Sequence, residues 1–136
     1  QRLLLTGDLE AEQEALLVRE HGSALRSEAL LVPHHGSRTS STPSFLDAVA
    51  PRVALVQAGY RNRFGHPAPD VVARYRERGI VLHNTVECGA WRLGEQGSGA
   101  CERQRARHYW HHGPDVARTS GARTQEETAP WPSMSR

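Results

Sequence analysis

Short apolar runs alternate with helix-forming stretches along the first two thirds of the chain, and this alternation limits the fold more than any other feature. Leu3 to Leu5 is apolar and ends at Thr6-Gly7-Asp8. "LEAEQEALLVREHG" follows, rich in strong helix formers, with Leu9, Ala15, Leu16 and Leu17 as its apolar side and Gly22 as a stop. Ala29 to Pro33 is the next strand-like run. "SSTPSFLDAVAP" then predicts a helix with Ser41 or Thr42 as N-cap, Pro43 in the first turn and Pro51 beyond its end. Val53 to Gln57, the helix "PDVVARYRERG", Ile80 to Leu82 and Cys88 to Leu93 complete the pattern. Strands and helices in this order predict an α/β layered domain.

Composition bounds what such a domain can be. The chain has 136 residues, room for one small domain. Its net charge of +2 is too small to mark a nucleic-acid footprint by itself, and all 17 basic residues are arginine. The two cysteines, Cys88 and Cys101, give neither a disulfide framework nor a CxxC metal knuckle. No apolar run approaches the roughly 20 residues of a membrane helix, and no signal-peptide pattern is visible. The first apolar run begins at once, which reads as a domain entered in mid-course. Residues 1–93 read as the folded part. Residues 94–136 carry Gly, Ser, Thr, Pro, Arg and Glu with little periodicity and read as a disordered tail.

The chemistry gathers where the strands end. Asp8 follows the first, the His34-His35 pair the second, and His66 the third. Strand ends are where open α/β sheets bind ligands. A carboxylate and several imidazoles on one edge are what a zinc site needs, with one position left for water in a catalytic site. Each feature has a plainer role when taken alone. Asp8 suits a helix cap, His34-His35 a polar strand end, the Ser37 to Ser41 hydroxyls a cap for the next helix, and His66-Pro67 a loop. Their recurrence at the same point of successive units favours a site. "HYWHHGPD" at 108–115 also groups histidines near an aspartate, but at the wrong spacing.

"LLLTGDLEAEQE", "LLVPHHGSRTSS" and "VQAGYRNRFGHPAPDVVARY" together resemble the C-terminal half of the metallo-β-lactamase-like domain of ComEC-type DNA-internalisation competence proteins. The resemblance runs from about Leu3 to Leu93 and rests on the composite of TGD, HHGSxxS and NxxGHP. It implies the second half of a four-layer αββα sandwich, a divalent-metal hydrolase site using zinc or manganese, and the processing of incoming DNA in natural transformation. The implied parent lies in the inner membrane, with this domain on its outer side.

Carried over residue by residue, Asp8 matches the acidic group that bridges two metals and His35 matches a metal ligand. His34 becomes a neighbouring or phosphate-contacting catalytic group. Ser37 and Ser41 flank the pocket, and Asn62 and His66 lie at its mouth. His66 is then either a proton donor to the leaving group or a structural contact. Arg38, Arg61 and Arg63 flank the motifs as contacts to the DNA backbone. The superfamily's HxHxDH signature, which supplies most ligands, is absent. Asp8 and His35 are too few for four-coordinate zinc, so the chain alone is expected to bind metal poorly and to catalyse little. The alternatives are a non-catalytic remnant and a metallo-hydrolase of the same fold with a substrate other than nucleic acid.

Overall fold

The computed structural model describes residues 1–94 and 99–105. Four short strands form one parallel sheet: β1 (Leu3–Leu4), β2 (Ala29–Leu31), β3 (Val53–Val56) and β4 (Val81–Asn84). Their spatial order, β1-β2-β3-β4, is their order in sequence. Leu3 aligns with Ala29, Ala29 with Val53 and Val53 with Val81, so all four share one register. The helices α1 (Ala11–His21), α2 (Pro43–Val49) and α3 (Pro69–Glu77) fill the three crossovers.

That order has a physical consequence. Parallel crossovers are right-handed in nearly all proteins. Three in succession, all advancing the same way across the sheet, leave their helices on the same face. The core follows. Leu30, Val32, Ala54 and Val56 are buried together with Phe45, Leu46, Val49, Val71 and Tyr75, and Leu4 and Leu82 pack against them. The alternate strand positions turn the other way. Leu31, Val53 and Leu55 are only partly buried, and Val81 and Leu3 are exposed. Leu5, just past β1, is 67% exposed. Parallel sheets normally have both faces covered; here one face is largely bare.

Part of that face lies under a hairpin. A short helix, α4 (Thr85–Cys88), follows β4, with the Asn84 side chain capping it by accepting the Val86 N–H at 2.9 Å. Then β5 (Trp91–Leu93) pairs antiparallel with β6 (Gly99–Cys101), and α5 (Glu102–Arg105) follows. The strand expected from Cys88 therefore begins three residues later, because Gly89 at positive φ ends α4 first. Order also continues past Leu93 into the segment read as a tail; its remaining residues lie outside those described. Cys88 and Cys101 form a disulfide, which corrects the expectation that the cysteines build no disulfide. Sequence spacing did not disclose that β6 folds back beside α4. Between the hairpin and the sheet lies an open cleft of about 700 Å³, bordered by Val53, Val81, His83, Trp91 and Leu93.

One buried carboxylate ties the helical layer together. Glu14 of α1 is fully buried. It accepts the Ser41 N–H at 2.6 Å and the Thr42 N–H at 2.8 Å, at the start of α2. Thr42 is the N-cap residue and its own side chain makes no cap bond; Glu14 instead holds the two backbone N–H groups that lead into the helix. The Ser41 hydroxyl lies 3.0 Å from the Tyr75 hydroxyl. Burial pushes the Tyr75 phenol well above its usual range, and the Ser41 bond pulls the other way. Arg74 closes the network by donating to the Ser40 and Ser41 carbonyls.

Glu14→Ala leaves one buried and one half-buried N–H without acceptors and is expected to lower unfolding free energy by about 2–4 kcal/mol. Urea unfolding checks this: the midpoint should fall with the m-value unchanged.

Candidate metal centre at the strand ends

Three loops meet at the C-terminal edge of the sheet, and the turn after β2 joins them. Pro33–Gly36 is a single tight turn whose central residues are left-handed: His34 has φ 46° and His35 has φ 56°. Histidine tolerates this region better than most residues, but two in succession cost of order 1–3 kcal/mol each. The surroundings hold the turn on every side. The His34 N–H donates to the Gly7 carbonyl at 2.9 Å, fixing the turn to the end of β1. The Ala68 N–H donates to the Gly36 carbonyl at 2.8 Å, fixing it to the loop after β3. The Ser40 hydroxyl donates to the Pro33 carbonyl at 2.8 Å and closes the turn from behind.

The strained turn sets both histidine rings. His35 Nδ1 lies 2.8 Å from the Gln57 carbonyl. A carbonyl only accepts, so Nδ1 carries a proton, and in the neutral ring Nε2 keeps its lone pair. That Nε2 lies 3.6 Å from Asp8 Oδ1, with both side chains at least half exposed. A histidine whose second nitrogen is anchored to a backbone carbonyl is the usual arrangement around a bound metal. Asp8 and His35 thus present an oxygen and a nitrogen side by side, open to solvent.

His34 turns to the other side. Its Nδ1 lies 3.1 Å from Glu10 Oε1, and its ring centroid is 6.3 Å from that of His66. Glu10 was not singled out in the sequence. Its position two residues after Asp8, in "TGDLE", was the available signal. Thr39 donates to the same Glu10 carboxylate at 3.3 Å and lies 3.0 Å from the Ser37 hydroxyl. Ser37 thus joins Glu10 through Thr39. Arg38 is outside, with Nε 3.4 Å from Asp70 Oδ1.

Two residues have other occupations. Ser41 does not flank the pocket: it is fully buried and faces Tyr75 in the helical layer. Asn62 is at the mouth, but its amide holds its own loop. It donates to the Gly59 and His66 carbonyls at 3.2 and 2.7 Å and accepts the His66 N–H at 2.9 Å. That clamp places the His66 ring beside His34. The 108–115 histidines lie outside the described residues.

A full ligand set is not assembled. Among the described residues, the one trio of His, Cys, Asp or Glu donors close enough to share an ion is His83, Cys88 and Cys101. Its sulfurs are bonded to each other, and the ligand form of cysteine is the thiolate. The Asp8–His35 pair suits the donor chemistry of zinc or manganese but supplies only part of a coordination shell. Nor does the 700 Å³ cleft contribute, since it lies under the hairpin and none of its lining residues belongs to this cluster.

Fold and strand-end cluster together define an α/β unit with a carboxylate and three imidazoles gathered at one edge of its parallel sheet. No family model matches the chain. It is 43% identical over 115 residues, 82% of its length, to the Competence protein ComA of Neisseria gonorrhoeae, and it spans 16% of that protein. The similarity supports a ComEC-type relationship. Among the described residues no helix is long and apolar enough to cross a membrane.

Gly36 is the position where the turn tolerates least. Its φ is +82°, and a Cβ there would sit 2.6 Å from Pro67 Cβ. Gly7 has φ +56° but open space around it. Gly36→Ala is expected to cost about 2–4 kcal/mol, adding a clash to the left-handed penalty of about 1–2 kcal/mol that Gly7→Ala pays alone. Chemical unfolding of the two variants in parallel reads the difference.

Proposed function

We propose that this segment forms one wall of a metal-dependent phosphodiesterase site in a DNA-uptake competence protein. The complete site belongs to a metallo-β-lactamase-like αββα sandwich of which this chain is the second half. The observation that carries the reading is the His35 anchor. Its Nδ1 bond to the Gln57 carbonyl commits Nε2 to the space it shares with Asp8 Oδ1. The similarity to a competence protein supplies the biological setting. Support for the sandwich comes from the part of the sheet face that the hairpin leaves open, at β1, where Leu3 and Leu5 stand exposed. A second sheet packed there would bury them. The disulfide agrees with a place on the outer side of the membrane, since disulfides persist in oxidising compartments.

Within this site the chain's own residues have separate tasks. Asp8 and His35 hold a divalent ion, zinc or manganese. Such an ion supplies Lewis-acid activation of water and neutralises charge developing on phosphate oxygens. His34, steadied by Glu10, faces the scissile phosphate from the other side of the turn. Ser37 offers it a hydroxyl. Asn62 keeps the His66 ring at the mouth, where it can give a proton to the leaving oxygen. Arg38 and the arginines at 61 and 63 hold the flanking phosphates, contacts that fix position without reading sequence. With two ligands the chain by itself binds metal weakly and does not turn over.

Isothermal titration of zinc and manganese into the 136-residue chain tests the site. Weak binding that disappears in both Asp8→Ala and His35→Ala is the expected result. Joining the chain to a first half that carries HxHxDH should then give metal-dependent cleavage of single-stranded DNA. Binding that survives both substitutions, or that appears only after reduction of Cys88–Cys101, would place the ion elsewhere and defeat the reading.

A further inference from the structure

The loop between β3 and α3 runs Tyr60-Arg61-Asn62-Arg63-Phe64, with arginines and aromatic rings interleaved. Its two ends are fixed. Asn62 ties Gly59 to His66 through three hydrogen bonds, so the loop is a closed bight presented to solvent. Phe64 is 67% exposed, and Tyr60 is exposed too. Large aromatic rings at a loop tip gain nothing from water; they serve when something covers them.

The planar groups lie close to one another in two sets. The Arg61 guanidinium lies over the Tyr60 ring, 5.3 Å from its centroid, and that of Arg63 over Phe64 at 4.8 Å. The Phe64 ring is nearly parallel to that of His66, at 14° and 5.8 Å. His66 lies 6.3 Å from His34, and His34 lies 6.4 Å from His35. Ring neighbours thus run from His35 through His34 and His66 to Phe64, where Arg63 adds a positive charge, and Arg61 on Tyr60 adds another in the same loop.

We propose that this loop is a stacking platform for the bases of single-stranded nucleic acid, placed so that a strand held on Phe64 is guided to the strand-end site. The direction of that path rests on the phosphodiesterase reading; the platform itself does not. Every base has a π-face, so aromatic rings and guanidinium planes grip a strand without regard to sequence. The charges complement the phosphates between the stacked bases. In a duplex the base faces are already covered by their neighbours, and the exposed ring of Phe64 would find nothing to stack on. An anionic lipid surface would satisfy the arginines and rings as well, but it would cover the strand-end cluster that the row of rings leads into.

Fluorescence anisotropy with the full chain and a labelled oligothymidylate tests the platform. The probe's duplex and an abasic strand of the same length serve as comparisons. The base-bearing strand should bind on the order of tenfold tighter than the abasic one. Phe64→Ala should erase that preference, while Phe64→Trp keeps it. Arg61→Gln and Arg63→Gln should weaken both strands alike and flatten the salt dependence. Asp8→Ala should leave the preference intact, so failure of the metal chemistry and failure of the platform are separate results. Equal affinity for base-bearing and abasic strands would overturn the proposal. So would preference for the duplex, or Phe64-dependent binding to anionic phosphatidylglycerol vesicles without any preference for bases.

Discussion

The hydrogen bond from the His34 N–H to the Gly7 carbonyl holds the strand ends in place, and the site depends on it. It locks a turn that would not otherwise be stable, since His34 and His35 both sit at positive φ. Once locked, the turn points the two rings apart. One goes to Asp8 and the Gln57 carbonyl, the other to Glu10 and His66. A relaxed extended chain after β2 would project successive side chains to opposite faces, and the pair would never share an edge. The strain is thus local to the residues whose placement matters, as is common where a backbone is held for chemistry.

Sheet topology explains why this edge is available and why the opposite face is bare. Strands added in sequence order keep α1, α2 and α3 on one side, where Glu14, Ser41, Tyr75 and Arg74 join them in a buried polar network. The other side holds Leu31, Val53 and Leu55, with the β5–β6 hairpin, tethered by Cys88–Cys101, over part of it.

Much of the architecture was legible because each strand and helix carries its own local signal. Pro43 and Pro69 open α2 and α3 as expected, and the apolar positions Phe45, Leu46, Val71 and Tyr75 are in the core. Asp8 and His35 were singled out by their place after strands and by the resemblance, and the structure sets His35 Nε2 3.6 Å from Asp8 Oδ1. What was not legible depends on long-range packing. Ser41 looks like any other hydroxyl in "SRTSS", and only the approach of α1 makes it a buried partner of Tyr75. Asn62 reads as a substrate contact at the mouth of the site and acts as a loop clamp. The Cys88–Cys101 bond required a hairpin that the composition after Leu93 did not announce.

The central claim is that the fold fixes His35 in the Nδ1–H form so that Nε2 is free beside Asp8. Nitrogen-15 NMR of labelled histidine reads this directly, by the shifts and long-range couplings of each ring as zinc is added. The account predicts that His35 carries its proton on Nδ1 before metal is present, and that zinc moves its Nε2 resonance in the native chain and not in Asp8→Ala. A proton resting on Nε2, or a His35 ring that does not respond to zinc, would contradict it.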